Sequence, residues 1–410
     1  MNSLGFVLEP FNDNMQSSFL FWLVTMKSID LFCGAGGLSC GLKMAGFDPL
    51  LALEINSVYA KTYAANHPST NVITADIRDL SEYDVCKLLG LKQGDLDLVS
   101  GGPPCQGFSI NAPIRNLDDQ RNNLFKEHLR IANILKPKAI LIENVPGIMS
   151  LGQGTVVDAI YEELEHMGYS ISHRILFAGH YGVPQLRFRT IFIAIIGKVH
   201  IDFPDPTHDC EAVANFTGAK QYCQKIYPLL DQCLRKKTTV WEAISDLPPL
   251  LPGQLIHDVH YPVGAQSEFQ KELRKGSERL FNHGCSKLGK ANLERLKCIP
   301  QGGSWRDIPH DLLPSGLKRA RRSDHTKRYG RLHPDGLCST ILTKCDPHWG
   351  SFFHPTQERA ISVREAARIQ SFPDRYFFTG NLTQQFEQVG NAVPPLLAKA
   401  IGEKIKHLIS

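Results

Sequence analysis

From Met26 to about Gly197 the chain alternates apolar runs with amphipathic stretches, and few folds accept that alternation. Strand-like runs fall at Ser28–Phe32, Leu50–Glu54, Asn71–Ala75, Asp97–Ser100, Ala139–Glu143, Ser170–Phe177 and Thr190–Ile196. Helix-like stretches lie between most of them, at Leu38–Ala45, Ser57–Asn66, Tyr83–Leu89, Leu124–Leu135 and Val156–Met167. Apolar runs separated by amphipathic helices read as βαβ units, so the fold class is α/β, with a mostly parallel, doubly wound sheet covered on both faces. Right-handed crossovers are the default for each parallel unit. Only a loop separates the last two runs, which predicts an antiparallel pair at the sheet edge.

Beyond His200 the periodicity fades until about Phe353. Prolines, the pair Gly302-Gly303 and basic clusters dominate, and loop-rich segments of this kind carry function on a rigid scaffold. Between Asp205 and Asp335 there are 21 basic and 15 acidic residues in a chain whose net charge is +4, so the positive charge concentrates here and favours a polyanionic partner. Periodicity returns with a helix near Ser362–Gln370, stopped by Pro373, and a last helix near Pro395–Leu408. The eleven cysteines are scattered without a C-x-x-C pair, which argues against a disulfide framework or a zinc ribbon and for a reducing compartment; no metal site is expected. The apolar run Phe19–Val24 is too short to span a bilayer. No Lys or Arg precedes Met26, so residues 1–25 do not read as a signal peptide but as a poorly ordered extension, with Met26 a possible true start.

Five segments carry chemistry. Asp30-Leu31-Phe32-Cys33-Gly34-Ala35-Gly36-Gly37 sits at the first strand-to-helix turn, where Gly34 and Gly36 let a ligand approach the backbone. Glu54 ends the second strand, where a carboxylate can accept hydrogen bonds from ribose hydroxyls, and Asp76 ends the third, placed to face an adenine amino group. An ordinary tight turn with solvent-facing carboxylates is the alternative. Without the full G-x-G-x-x-G fingerprint, a nucleoside cofactor lacking pyrophosphate, such as S-adenosyl-L-methionine, is favoured over a dinucleotide. Next, Gly101-Gly102-Pro103-Pro104-Cys105-Gln106-Gly107-Phe108-Ser109 follows a central strand. Two prolines stiffen this loop and flanking glycines open it, so Cys105 is displayed as a nucleophile would be. Cys33, Cys40, Cys86 and the other cysteines stay in the ordinary class of buried small hydrophobes. Glu143-Asn144-Val145-Pro146-Gly147 puts a carboxylate at the end of a buried strand, costly unless it is paired or functional. Arg187 and Arg189, two apart at a strand start, suit an anion or a thiolate, or are two surface arginines. Gln388–Pro395 reads as the opening of the last helix.

Taken in this order, the five segments resemble the cytosine-C5 DNA methyltransferases of bacterial restriction-modification type, over nearly all of Met26–Ser410. Ser362–Pro373 is a further match. The resemblance implies a Rossmann-like S-adenosylmethionine methyltransferase domain at 26–202, a smaller, loop-rich DNA target-recognition domain at 203–353, and a segment at 354–410 returning to the catalytic domain. It implies that Cys105 attacks C6 of a flipped-out cytosine, that Glu143 holds N3, and that Arg189 stabilises the covalent adduct with Arg187 nearby. It puts Phe32, Gly34, Gly36, Glu54, Ile55, Asp76, Ile77, Pro104, Leu124, Asn391 and Val393 on cofactor positions, and Gln106, Ser109 and Arg121 on the catalytic loop that closes over double-stranded DNA. Lys318, Arg319, Arg321 and Arg322 belong to a run, Lys318–Arg331, with seven basic residues against one acid; it reads as phosphate contact or as a solvated face. Gly302-Gly303-Ser304-Trp305-Arg306 is either a groove-side element or a core tryptophan beside a turn. A tRNA methyltransferase subfamily shares these motifs but carries a Cys-Phe-Thr tripeptide absent here, and a catalytically dead DNA-binding relative would not need Cys105, Glu143 and Arg189 intact. A cytoplasmic bacterial monomer is expected, acting alongside a cognate restriction endonuclease without stable binding.

Overall fold

The computed structural model describes residues 25–104, 124–211, 234–324 and 326–410. At its centre lie seven strands: β1 (Met26–Leu31), β2 (Phe47–Glu54), β3 (Asn71–Thr74), β4 (Leu98–Gly101), β5 (Ala139–Asn144), β6 (Tyr169–Phe177) and β7 (Phe188–Ile196). Their order in the sheet is β3-β2-β1-β4-β5-β7-β6. Strands β1 to β5 run parallel, and β7 pairs antiparallel with β5 on one side and β6 on the other. All seven expected runs are strands, with ends shifted by a few residues. The expected antiparallel pair is present, with β6 as the edge strand.

Helices α1 (Gly37–Met44), α2 (Ser57–Asn66), α3 (Glu82–Leu89), α4 (Leu124–Leu135) and α5 (Thr155–His166) connect these strands. The two-residue period of a strand sends neighbouring side chains to opposite faces. Leu98, Leu141, Ile191 and Ile193 therefore pack with Leu38 and Leu42 of α1 on one side. Val99, Ile140, Ile142 and Phe192 pack with Leu129 of α4 and Ile160 of α5 on the other. Burial on both faces is why these strands read as continuous apolar runs. Cys86 departs from expectation: on the outer side of α3 it is exposed, and Cys298 is partly so, while the other cysteines among the described residues are buried.

The remaining chain adds short helices, α6 (Val240–Ile244), α7 (Glu268–Leu273), α8 (Lys290–Lys297), α9 (Ser315–Lys318), α10 (Val363–Ile369), α11 (Leu382–Asn391) and the longer α12 (Pro395–Ile409). Val240, Ala243, Ile244 and Leu280 share a core with Ala366, Ile369 and Val389, and with Cys40 of α1. A buried ionic knot reinforces this joint: Arg368 donates to Asp374 at 2.7 Å and to Asp246, which also takes Arg274 at 3.0 Å. A separate, smaller core gathers Leu288, Leu296, Ile299, Trp305, Ile308, Leu317, Tyr329 and Phe353. Trp305 is thus the core tryptophan of the two readings above.

Helix α11 was not expected, because Gln388–Pro395 reads as one helix start. Asn381 caps α11, with Gln384 reciprocating, and Pro395 then opens α12 separately. Helix α12 lies against α1 so closely that a Cβ on Gly41 would run into the Pro395 carbonyl and Ala398. The two motifs flanking these helices, Phe32–Gly37 and Ala392–Pro395, are thereby brought together.

Strand β1 has β2 on one side and β4 on the other, so the chain winds outward in both directions from this point. Diverging connections at such a switch point leave a crevice at the carboxyl ends of the strands, where ligands bind in open α/β sheets.

Candidate active site

The turn after β1 is built from unusual backbone. Phe32 has φ 60, Gly34 φ 54 and Gly36 φ 90. A positive φ is costly for phenylalanine and free for glycine. The Glu54 carboxylate fastens the turn by accepting the Gly34 N–H at 2.9 Å and the Asn56 N–H at 2.8 Å. Burial raises its pKa, and these N–H donors oppose the rise. Gly36 also answers to packing: a Cβ there would stand 2.5 Å from Tyr376 Oη and 2.8 Å from the Tyr63 ring. Beneath the turn, Tyr63 Oη donates to Ser39 Oγ at 2.7 Å, Ser39 Oγ donates to Asp30 Oδ2 at 2.5 Å, and Tyr376 Oη donates to the Ala35 carbonyl at 2.5 Å. The other Asp30 oxygen is buried without a hydrogen-bond partner, and burial pushes this carboxyl up to about 7. This polar layer was missed from sequence, because Tyr63 and Tyr376 come from distant segments.

The other expected cofactor residues differ in what they present. Ile55 leaves β2 with 67% of its surface exposed, an apolar side chain with no core to fill. Asp76 caps the following helical turn, and its carboxylate pairs with Arg78 at 2.5 Å, which lowers its pKa. The side chain of Ile77 is buried in the core; Leu124 is partly buried against the same cluster. Val393 lies in the core beside Leu38 and Ala398. Pro104 is half-buried and Asn391 exposed.

At the end of β5 a second constellation forms. Glu143 Oε1 accepts Arg189 Nε at 2.6 Å, with both side chains about nine-tenths buried. Two positions along the register bring them together, since Glu143 pairs with Ile191 across β5 and β7. Arg189 also donates to the Phe188 carbonyl at 2.7 Å. Burial lowers the Arg189 pKa and Glu143 opposes that. The neighbouring Asn144 Nδ2 donates to the Pro103 carbonyl at 3.1 Å, tying the loop after β4 to the end of β5. A Cβ on Gly102 would stand 3.0 Å from Glu143 Oε2. The loop leading to Cys105 is therefore fastened beside Glu143. Cys105, Gln106, Ser109 and Arg121 themselves lie outside the described residues.

Arg187 separates from Arg189. It is fully buried, and its guanidinium donates to the carbonyls of Ile341 at 3.2 Å and of Gly390 and Ala392 at 2.9 Å each. It staples the start of β7 to the Ile341 segment and to the C-terminal end of α11. The turn Val145–Gly147, Arg189, Asn391, Thr340–Lys344 and Ser323, Thr326–Arg328 and Trp349 line a cleft of about 970 Å³. Lys318, Arg319, Arg321 and Arg322 are exposed but outside this lining; Arg322 donates to the Arg306 carbonyl at 2.9 Å. Among the described residues no group of three or more His, Cys, Asp or Glu could hold a metal ion, and no helix is long and apolar enough to cross a membrane.

A family model described as C-5 cytosine-specific DNA methylase matches residues 26–407. The chain is similar to the type II methyltransferase M.AgeI of Thalassovita gelatinovora, 34% identical over 94% of this chain and 100% of that protein. It is similar also to the type II methyltransferase M.DdeI of Desulfomicrobium norvegicum, 34% identical over 93% of this chain and 88% of that one. Among solved structures, a prophage-encoded protein of E. coli described as a DNA modification methyltransferase superposes with TM-score 0.70 at 25% identity, covering 93% of this chain and 99% of the other. The Dnmt2 methyltransferase of S. pombe, at 15% identity and TM-score 0.53 over 93% of this chain and 98% of its own, shares the fold.

Proposed function

The chain belongs to the C-5 cytosine-specific DNA methylase family, and we propose that Cys105, Glu143 and Arg189 carry out its reaction. The enzyme transfers a methyl group to C5 of cytosine in DNA, and S-adenosylmethionine supplies that group as an electrophile. The observation that carries the residue assignment is the buried Glu143–Arg189 pair, fastened beside the loop that leads into Cys105.

Cytosine C5 is a weak nucleophile. Attack of the Cys105 thiolate at C6 forms a C–S bond and pushes electron density to C5. Glu143 holds the proton at N3 and accepts from the exocyclic amine, so that charge does not build up on the ring. Arg189 fixes Glu143 and offers positive charge to the adduct. After C5 has gained its methyl group, loss of the C5 proton and departure of the thiolate restore the aromatic ring. The target base must leave the stack first, at a cost of about a few kcal/mol.

The donor is held at the switch point. The strained turn at Phe32, Gly34 and Gly36 would cradle it, Glu54 would accept from its ribose hydroxyls and Asp76 would face its adenine amino group, with Ile55 and Ile77 alongside. Pro104, Leu124, Asn391 and Val393 close the site. Residues 26–202 and 354–410 form the catalytic unit, and 203–353 reads DNA, with the small core around Trp305 and Tyr329 as its scaffold. The basic face from Lys318 to Arg322 holds phosphates outside the cleft, and Gln106, Ser109 and Arg121 contribute further DNA contacts. The protein works as a cytoplasmic, monomeric modification enzyme whose sites a separate endonuclease would otherwise cut.

Glu143→Gln tests the assignment: turnover on plasmid DNA with labelled donor falls at least about 100-fold, while donor and DNA affinities stay near those of the parent. Full turnover in this variant would remove Glu143 from the chemistry, and label entering tRNA instead of DNA would remove the substrate.

A further inference from the structure

Trp349 stands 55% exposed on the wall of the cleft that contains Arg189 and Asn391. An exposed large aromatic side chain on a functional wall calls for an explanation, because the same ring buried would stabilise the fold. Its loop is not loosely held. Tyr329 N–H donates to the Pro347 carbonyl at 2.6 Å, Trp349 N–H to the Asp346 carbonyl at 2.9 Å, and Gly330 N–H to the Gly350 carbonyl at 3.3 Å. Tyr329 accepts a φ of 50 to make this joint, a left-handed conformation that an aromatic residue keeps only when its surroundings enforce it. The surroundings are the small core in which the Tyr329 ring is buried. The indole is therefore displayed from a fixed frame.

Its neighbours indicate what it meets. The Arg328 guanidinium lies 5.0 Å from the indole centroid, and Lys327 and Lys344 line the same wall. A flat apolar face set among cations matches a nucleic acid, whose bases stack on aromatic rings while its phosphates take the charges. A protein partner would gain from the ring but would have to bring acidic groups to each of these cations.

We propose that Trp349 is a DNA-contacting residue of the reaction: its ring packs against a base of the substrate next to the target cytosine, and Arg328, Lys327 and Lys344 hold the flanking phosphates. This rests on taking the cleft as the DNA-binding face. Stacking of a base on a protein aromatic ring is worth about 5- to 150-fold in affinity.

The test uses the full chain and plasmid DNA free of 5-methylcytosine. Trp349→Ala raises KM for DNA by about 5- to 150-fold with donor affinity unchanged, and Trp349→Phe restores most of the loss. Of the four tryptophans in the chain, the one quenched on adding DNA is the one in the base contact, so Trp349→Phe loses the DNA-dependent quenching while still binding. Unchanged KM in the alanine variant, or unchanged quenching in the phenylalanine variant, overturns the proposal. The premise has its own readout: Lys327→Ala with Lys344→Ala lowers the slope of log affinity against log salt by about 2. A lowered slope with silent Trp349 variants defeats the tryptophan assignment alone; an unchanged slope defeats the cleft as the DNA face, and the assignment with it.

Discussion

Asp30 lies under the glycine turn with one oxygen bound to Ser39 and the other without a partner, and burial pushes its carboxyl from 3.8 up to about 7. Asp30→Asn removes the ionisation but keeps an oxygen to accept from Ser39. Below about pH 4 the carboxyl is protonated in folded and unfolded chains alike, and its full contribution to stability is present. As pH rises from about 4 to 7 the unfolded chain releases the proton while the folded chain keeps it, so stability falls. Above about 7 both forms are ionised and the loss is complete, at about 4 kcal/mol. The amide variant escapes this loss. Urea denaturation followed by circular dichroism at pH 5 and pH 8 measures it. The stability of Asp30→Asn relative to the parent rises by about 2–3 kcal/mol between these pH values, whatever constant offset the amide brings. Two curves that stay parallel from pH 5 to pH 8 would refute the reasoning.

Gly36→Ala must adopt φ 90 with its Cβ 2.5 Å from Tyr376 Oη; it lowers stability by about 2–4 kcal/mol, read by melting, and weakens donor binding at least tenfold, read by calorimetry. The two arginines separate by assay. Arg187→Ala strips donors from three buried carbonyls and costs at least about 3 kcal/mol of stability, whereas Arg189→Lys keeps a positive charge beside buried Glu143, leaves melting closer to the parent and lowers turnover by at least about tenfold.

The strands of the central sheet were legible because burial on both faces writes them as apolar runs, and α10 because periodicity returns at Ser362 and Pro373 stops it. The end-of-strand carboxylates Glu54 and Glu143 were legible for the same reason: a charge closing an apolar run stands out. Arg187 and Arg189 were not separable, since two arginines two apart read alike. What distinguishes them is a set of carbonyls up to 205 residues away. Asp30 was hidden likewise, as its environment comes from Ser39 and Tyr63 on two different helices. Trp349 lies in a stretch without periodicity, where only the fold brings it to the wall that holds Arg189.

The covalent step at Cys105 is tested most directly by DNA in which 5-fluorocytosine replaces cytosine. Fluorine cannot leave C5 as a cation, so the reaction halts after methyl transfer with the C–S bond intact. Incubation with the donor yields a denaturation-resistant protein–DNA complex, and the modified peptide contains Cys105; Cys105→Ser yields none. An enzyme that methylates ordinary DNA yet forms no such complex, or forms it through another residue, would contradict the mechanism.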